Sequence, residues 1–267
     1  MLNPAISYTR ITRVQDTLVT DTEDALAAEE PLEIRLVHGG QQQSITVTMR
    51  TPGQDRELAA GFLFTEGIIS SVDDIAEINY ADNIATVTLQ NNVVPVLQPA
   101  QRNFFANSGC GVCGKTEITA IYAPVHVAAT TIQCRASLLV KLPGLLRKQQ
   151  AVFEDTGGLH ASALFDNEGN LLIMREDIGR HNAVDKLVGT ALQGHLFPLH
   201  NYILLLSGRA GFELIQKAAM AGIKIIAAVG APSSMAVKMA HEWDITLIGF
   251  LRLQRFNIYT GEERITV

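Results

Sequence analysis

From about residue 156 to residue 251 the chain alternates short, mostly apolar runs with stretches of helix length, and this pattern constrains the fold more than any other feature. Runs 202–206, 223–229 and 245–251 read as buried strands, and 211–221 and 233–243 between them read as helices. Strands that are apolar throughout need cover on both faces, which βαβ crossovers supply. A hairpin (161–165, a turn at 167–170, then 171–175) and a helix at 179–192 precede them. The expectation is an α/β domain with parallel βαβ units in a three-layer arrangement.

The first part has another texture. Residues 8–14 alternate at strand period, and 31–37 with 44–49 form a hairpin around Gly39-Gly40. Asp55 to Glu66 has helical spacing, with Leu58, Phe62 and Leu63 on one face and Gly67 as its C-cap. A second hairpin, 75–80 with 84–89, turns at Asp82-Asn83. Ser137 is a candidate N-cap for a helix over much of 137–150, although Pro143-Gly144 obscures its start. The division expected is a strand-rich α+β region, 1–135, and an α/β cofactor-binding domain, 136–267.

Open α/β sheets bind ligands at the carboxyl ends of their strands. Three strand–helix junctions are chemically loaded: Arg175 to Lys186, Ser207-Gly208-Arg209-Ala210-Gly211-Phe212-Glu213, and Val229-Gly230-Ala231-Pro232-Ser233-Ser234. At the second, glycines let backbone amides approach an anion and Arg209 adds charge. Each turn taken singly could be a routine loop, with Ser233 merely an N-cap. His160 and His181 could be ligands or bases, or ordinary hydrogen-bonding residues. The deaminase pattern H-x-E…P-C-x-x-C is absent, because His160-Ala161-Ser162 lacks the glutamate and Pro232-Ser233-Ser234 is not followed by thiols.

Between these regions lies Ser108-Gly109-Cys110-Gly111-Val112-Cys113-Gly114-Lys115. Two thiols among glycines predict an exposed, mobile turn, and Lys115 with neighbouring amides favours thiolate. Half a zinc site is one reading, but a closed site needs four ligands and the third cysteine, Cys134, stands alone. A thioredoxin-like dithiol is another, without the expected βαβ context. Gly109 to Thr116 also matches the P-loop pattern, with Lys115 and Thr116 in the phosphate-binding places. The poor strand before it and the strand-like alternation of 117–122 after it argue against that reading.

Net charge is −6 with pI near 5.6, so there is no electrostatic footprint for nucleic acid or an anionic membrane. Three cysteines, two of them clustered, fit a reducing compartment. With no signal-peptide pattern and no apolar run of membrane length, the expectation is a cytoplasmic protein.

Taken together, S-G-C-G-V-C-G-K, R-E-D-I-G-R-H-N-A-V-D-K, L-S-G-R-A-G-F-E and G-A-P-S-S-M-A resemble the formate dehydrogenase accessory sulfurtransferase family, FdhD. The resemblance implies a sulfur carrier that takes persulfide sulfur from a cysteine desulfurase. It passes the sulfur to the bis(molybdopterin guanine dinucleotide) cofactor destined for formate dehydrogenase. It further implies a homodimer and a cytidine-deaminase-like C-terminal fold that binds guanine nucleotide such as GDP, with no resident metal. By position, Cys110 would carry the persulfide with Cys113 as its partner. Phe250, Leu251, Arg252, Leu253, Gln254 and Arg255 would bind cofactor, with Ser207, Gly208, Arg209, Gly230 and Ser233 as the anion-ready turns. A P-loop nucleotide hydrolase and a non-catalytic cofactor chaperone are the alternatives.

Overall fold

The computed structural model describes residues 3–97 and 132–267. In chain order its elements are β1 (Ile6–Gln15), β2 (Leu18–Ala27), β3 (Glu30–His38), β4 (Gln41–Arg50), α1 (Asp55–Thr65), β5 (Ile75–Ala81) and β6 (Ile84–Leu89). There follow β7 (Cys134–Arg135), α2 (Ala136–Leu139), α3 (Leu142–Arg147), α4 (Ala151–Thr156), β8 (His160–Phe165), β9 (Leu171–Asp177) and α5 (Arg180–Gln193). The last are β10 (Ile203–Leu206), α6 (Phe212–Met220), β11 (Ile225–Ala228), α7 (Ser234–Glu242), β12 (Thr246–Gly249), β13 (Asn257–Thr260) and β14 (Ile265–Thr266).

The first part is built on a four-stranded sheet in the order β4-β3-β6-β5. Its two hairpins turn where the sequence predicts, at Gly39-Gly40 and Asp82-Asn83, all four residues in the left-handed region. Paired positive φ values match the strand twist, so these dipeptides set the register. The β1–β2 hairpin forms a sheet of its own. Its second strand escapes periodicity because both faces are largely exposed.

A six-stranded sheet, β13-β12-β11-β10-β8-β9, organises the second part. It is mixed rather than wholly parallel: β10, β11 and β12 pair in parallel, while β8 and β13 are antiparallel to their neighbours. Because β8 runs against both β9 and β10, β9 points the same way as β10, β11 and β12. The edge where those four strands end is therefore also where β8 begins.

Strand residues alternate between two buried faces. Leu164, Leu204, Ile226 and Leu247 pack with Val184, Leu187, Ile215 and Met239 of α5, α6 and α7. Ala163, Phe165, Leu205 and Ala227 pack with Leu139, Leu142 and Leu146 of α2 and α3. Each leucine or isoleucine so buried contributes about 1.5–3 kcal/mol of transfer free energy. The helix expected over 137–150 is broken into α2 and α3, with Pro143 in the first turn of α3. Proline cannot supply the amide that a continuous helix needs there. Ser137 lies inside α2, whose N-cap is Arg135.

The first core cluster also contains Leu32, Ile34, Leu58 and Leu63, so a single apolar interior joins α1 and the four-stranded sheet to α5 and α6. The polar part of this contact is a set of buried ion pairs. Asp177 accepts from Lys186 at 2.8 Å, and Lys186 also donates to the Thr51 carbonyl. The Thr51 amide reaches Asp177, and the amide of Ile178 returns to the Thr51 hydroxyl. Lys217 sits between Asp185 and Glu66, 3.0 Å from each. Three of the six charges of the junction at 175–186, Asp177, Asp185 and Lys186, are thus structural, clamping β4 and α1 to β9 and α5.

Candidate functional site at the carboxyl edge of the sheet

Beyond the ends of β10, β11 and β12 the chain forms three loops joined by backbone hydrogen bonds. The Gly230 amide donates to the Gly208 carbonyl (2.9 Å), Ala210 to Ala231 (3.1 Å) and Ser233 to Ala210 (3.0 Å). Phe250 donates to Gly230 and Leu251 to Ala228, both at 3.0 Å. Only glycine fits at 230, since a Cβ there would lie 2.9 Å from the Arg209 nitrogen and the Gly208 oxygen.

The sequence-predicted residues Ser207, Gly208, Arg209, Gly230, Ser233 and Phe250 to Arg255 therefore lie along one edge, and their side chains differ in availability. The Ser207 hydroxyl accepts from the Ala161 amide at 2.8 Å, locking β10 to β8, and keeps its own proton to donate. Ser233 is the N-cap of α7, its hydroxyl accepting from the Ala236 amide. Leu251 is buried, whereas Phe250, Arg252, Leu253, Gln254 and Arg255 are exposed. The Arg252 amide bonds to the Arg255 carbonyl, closing a turn that displays both guanidinium groups. Arg209 is exposed too.

The β8–β9 corner adds residues whose junction the sequence marked without showing that they meet. His160 opens β8 and pairs in register with Asp177 at the end of β9. Its ring lies against Gly208, where a Cβ would come 3.1 Å from Nδ1. Burial holds the His160 imidazole below its ordinary pKa, and the nearby positive charges of Arg180, His181 and Arg209 push it the same way. His181 Nε2 meets Glu213 at 2.9 Å, joining the first turns of α5 and α6. No periodicity reports this corner, because it depends on β8 being inserted antiparallel.

Cys110, Cys113, Lys115 and Thr116 lie outside the described residues, as does the whole P-loop match. Cys134 is buried in the second core cluster, and burial pushes its thiol up to about 11. No group of three or more His, Cys, Asp or Glu suited to a metal ion occurs among the described residues. None of the described helices is long and apolar enough to cross a membrane.

The carboxyl edge as a whole offers close backbone approach at glycines, exposed guanidinium groups and helix N-termini. That combination suits an anionic ligand. Comparison with known proteins identifies relatives of the chain. Residues 27–266 match the model of the FdhD/NarQ family. The chain is 47% identical over 272 residues to the sulfur carrier protein FdhD of Streptomyces avermitilis, covering 97% of this chain and 95% of that one. It is 40% identical to the protein of the same name from Sulfurisphaera tokodaii, with 97% and 99% covered. A crystal structure of a putative formate dehydrogenase accessory protein from Desulfotalea psychrophila shares the fold. Its TM-score is 0.80 at 24% identity, with 98% of this chain and 100% of that one covered.

Proposed function

Since this chain belongs to the FdhD/NarQ family, we propose that it is a cytoplasmic sulfur carrier in the maturation of formate dehydrogenase. It accepts persulfide sulfur from a cysteine desulfurase and transfers it to bis(molybdopterin guanine dinucleotide), which it binds as substrate. The observation that carries this reading is near-full-length identity to proteins named as sulfur carriers.

Cys110 is the carrier. Its thiolate attacks the outer sulfur of the donor's cysteine persulfide, the donor S–S bond breaks, and the donor leaves as a thiolate. Transfer of the outer sulfur onward restores the Cys110 thiolate. Cys113 is the second thiol of the pair. The third, Cys134, is a poor nucleophile because it is buried and its thiol is held protonated.

The nucleotide end of the cofactor, for which GDP is a mimic, lies against Ser207, Gly208, Arg209, Gly230 and Ser233, with Phe250 to Arg255 alongside. Glycine-lined backbone and exposed arginines at one sheet edge support this placement. The second half is also read as cytidine-deaminase-like in layout, and the working unit as a homodimer.

Incubation with a desulfurase and cysteine, followed by mass spectrometry, is expected to show a sulfur adduct on the Cys110 peptide. Sulfuration of the cofactor is expected to stop in Cys110→Ala, and the adduct pattern of Cys113→Ala assigns the second thiol's part. A Cys110→Ala variant that loads and transfers sulfur fully would overturn the assignment. Unimpaired maturation without either cysteine would mark a chaperone instead.

A further inference from the structure

We propose that the outward side of α2 and α3, with Arg135, Lys141, Leu145 and Lys148, is the docking surface for the protein that donates sulfur, and that the donor meets it with an acidic face. The proposal rests on the sulfur-carrier reading above and assigns the surface that holds the donor.

The charge of this stretch runs against that of the chain. Acidic residues outnumber basic ones by 27 to 21, yet none stands between Glu117 and Glu154, while Arg135, Lys141, Arg147 and Lys148 all do. Arg147 is engaged, 3.5 Å from Glu154 and 4.2 Å over the Phe153 ring. The side chains of Arg135, Lys141 and Lys148 are exposed and have no ion-pair or hydrogen-bond partner among the described residues. Unneutralised charge of one sign on one face attracts a partner of the opposite sign and orients its approach.

The cations share a side with an apolar group. Leu139, Leu142 and Leu146 point into the second core cluster and fix α2 and α3 on the sheet. The backbone at Lys141 and Lys148, which flank α3, is right-handed helical, so Lys141, Leu145 and Lys148 at i, i+4 and i+7 line the opposite side. Leu145 is 37% exposed between the two lysines. A leucine framed by cations suits a protein surface, which offers both carboxylates and apolar contact.

The stripe is also placed where a donor is needed. At one end Leu138 lies against Gly169 in the β8–β9 turn, on the edge away from the candidate site. At the other, the Val152 and Phe153 amides donate to Glu176, beside Asp177 at the carboxyl end of β9. In the chain, β7 and α2 are the first described elements after Cys110 and Cys113. A donor seated here is held where the chain bearing Cys110 enters the fold, and it leaves the carboxyl edge itself open to the cofactor.

The test combines two measurements on the full chain with the cysteine desulfurase of the same cell. Fluorescence anisotropy follows the complex, and mass spectrometry follows the rate at which Cys110 gains sulfur. The variants are Lys141→Glu, Lys141→Glu/Lys148→Glu, Leu145→Gln and, as a control at an exposed cation of α1, Arg56→Glu. At low salt the double variant is expected to associate and load at least about tenfold more slowly, the effect of reversing charges that steer an encounter. The single variant should lie between, and the differences should shrink at roughly 0.5 M salt. Leu145→Gln should weaken the complex at either salt concentration, Arg56→Glu should match the wild type, and a small polysulfide should load Cys110 equally in every variant. Should the double reversal not fold, Lys141→Gln/Lys148→Gln carries the same test. Wild-type binding and loading in a folded double variant overturn the docking surface and leave the sulfur reading standing. A complex that depends on Lys141 and Lys148 but puts no sulfur on Cys110 keeps the surface and overturns the sulfur reading. Binding to anionic phospholipid vesicles through the same lysines, with no desulfurase complex, overturns the proposal in favour of a membrane contact.

Discussion

Gly61 of α1 and Gly189 of α5 face each other across a helix crossing in which backbone meets backbone. A Cβ on Gly61 would lie 2.8 Å from the Gly189 nitrogen, and a Cβ on Gly189 would lie 2.9 Å from the Gly61 nitrogen. Each would also overlap a backbone carbonyl of the opposite helix, that of Asp185 or of Glu57. Two backbones in contact leave no flexible side chain to yield. This crossing, more than any loop, fixes the first part of the chain on the second.

Alanine at either position therefore separates two opposing effects. In an isolated helix Gly→Ala gains about 1 kcal/mol. Here it forces the helices apart, and overpacking costs about 1–3 kcal/mol where neighbours can adjust. Because the atoms met are backbone, the expected net effect of Gly61→Ala and of Gly189→Ala is destabilisation by about 2 kcal/mol or more. Urea unfolding of each variant checks this. A neutral or stabilised variant would show that the helices are not in contact there.

How much of this was legible in the sequence depended on whether the signal was local. The turns at Gly39-Gly40 and Asp82-Asn83 were, since positive φ restricts which residues can stand there. So were α1 and the elements of the second half, whose faces are apolar at the right period. The loops of the carboxyl edge were legible because glycines follow apolar runs. The β8 insertion was not, because antiparallel pairing between β8 and β10 is a long-range fact with no period of its own. With it went the corner where His160 meets Asp177 and Gly208. The charged stretch 175–186 drew attention as a ligand site, yet Asp177, Asp185 and Lys186 are buried in ion pairs that hold the two parts together.

Lys217 is the most exposed to test of these buried charges. Burial alone would lower its pKa, but Asp185 and Glu66 raise it above the ordinary lysine range, so the ammonium is kept. Lys217→Ala leaves Asp185 buried with only the Thr65 hydroxyl, 2.7 Å away, as partner. The expected loss is about 3–5 kcal/mol, the usual consequence of stranding one buried ion. Adding Asp185→Asn to Lys217→Ala should restore part of it. Denaturation of the single and double variants measures the coupling, and strictly additive losses would refute it.

Cys134 supplies a control for the sulfur chemistry. It is 1% exposed, and desolvation raises its thiol to about 11, so little thiolate exists at pH 8. Alkylation of the native protein at pH 8 is expected to leave Cys134 unmodified, while alkylation in denaturant labels it. The sign of the linkage follows: the folded state favours the neutral thiol, so this stability is present below about pH 9 and lost between roughly 9 and 11. Peptide mapping after alkylation decides the matter. Rapid native labelling of Cys134 would remove the argument that any persulfide must reside elsewhere.

His160 offers a test of the β8–β9 corner. Burial lowers its pKa, and Arg180, His181 and Arg209 lower it further, while Asp177 opposes them. Its folded pKa is depressed, so the stability it contributes is present above the ordinary value of 6.5 and lost as pH falls through the folded value. Histidine-selective NMR across pH 5 to 8 should place the midpoint below 6.5, and in Arg180→Gln the midpoint should lie higher. A His160 midpoint at or above 6.5, indifferent to Arg180→Gln, would mean that the ring is neither desolvated nor beside that charge.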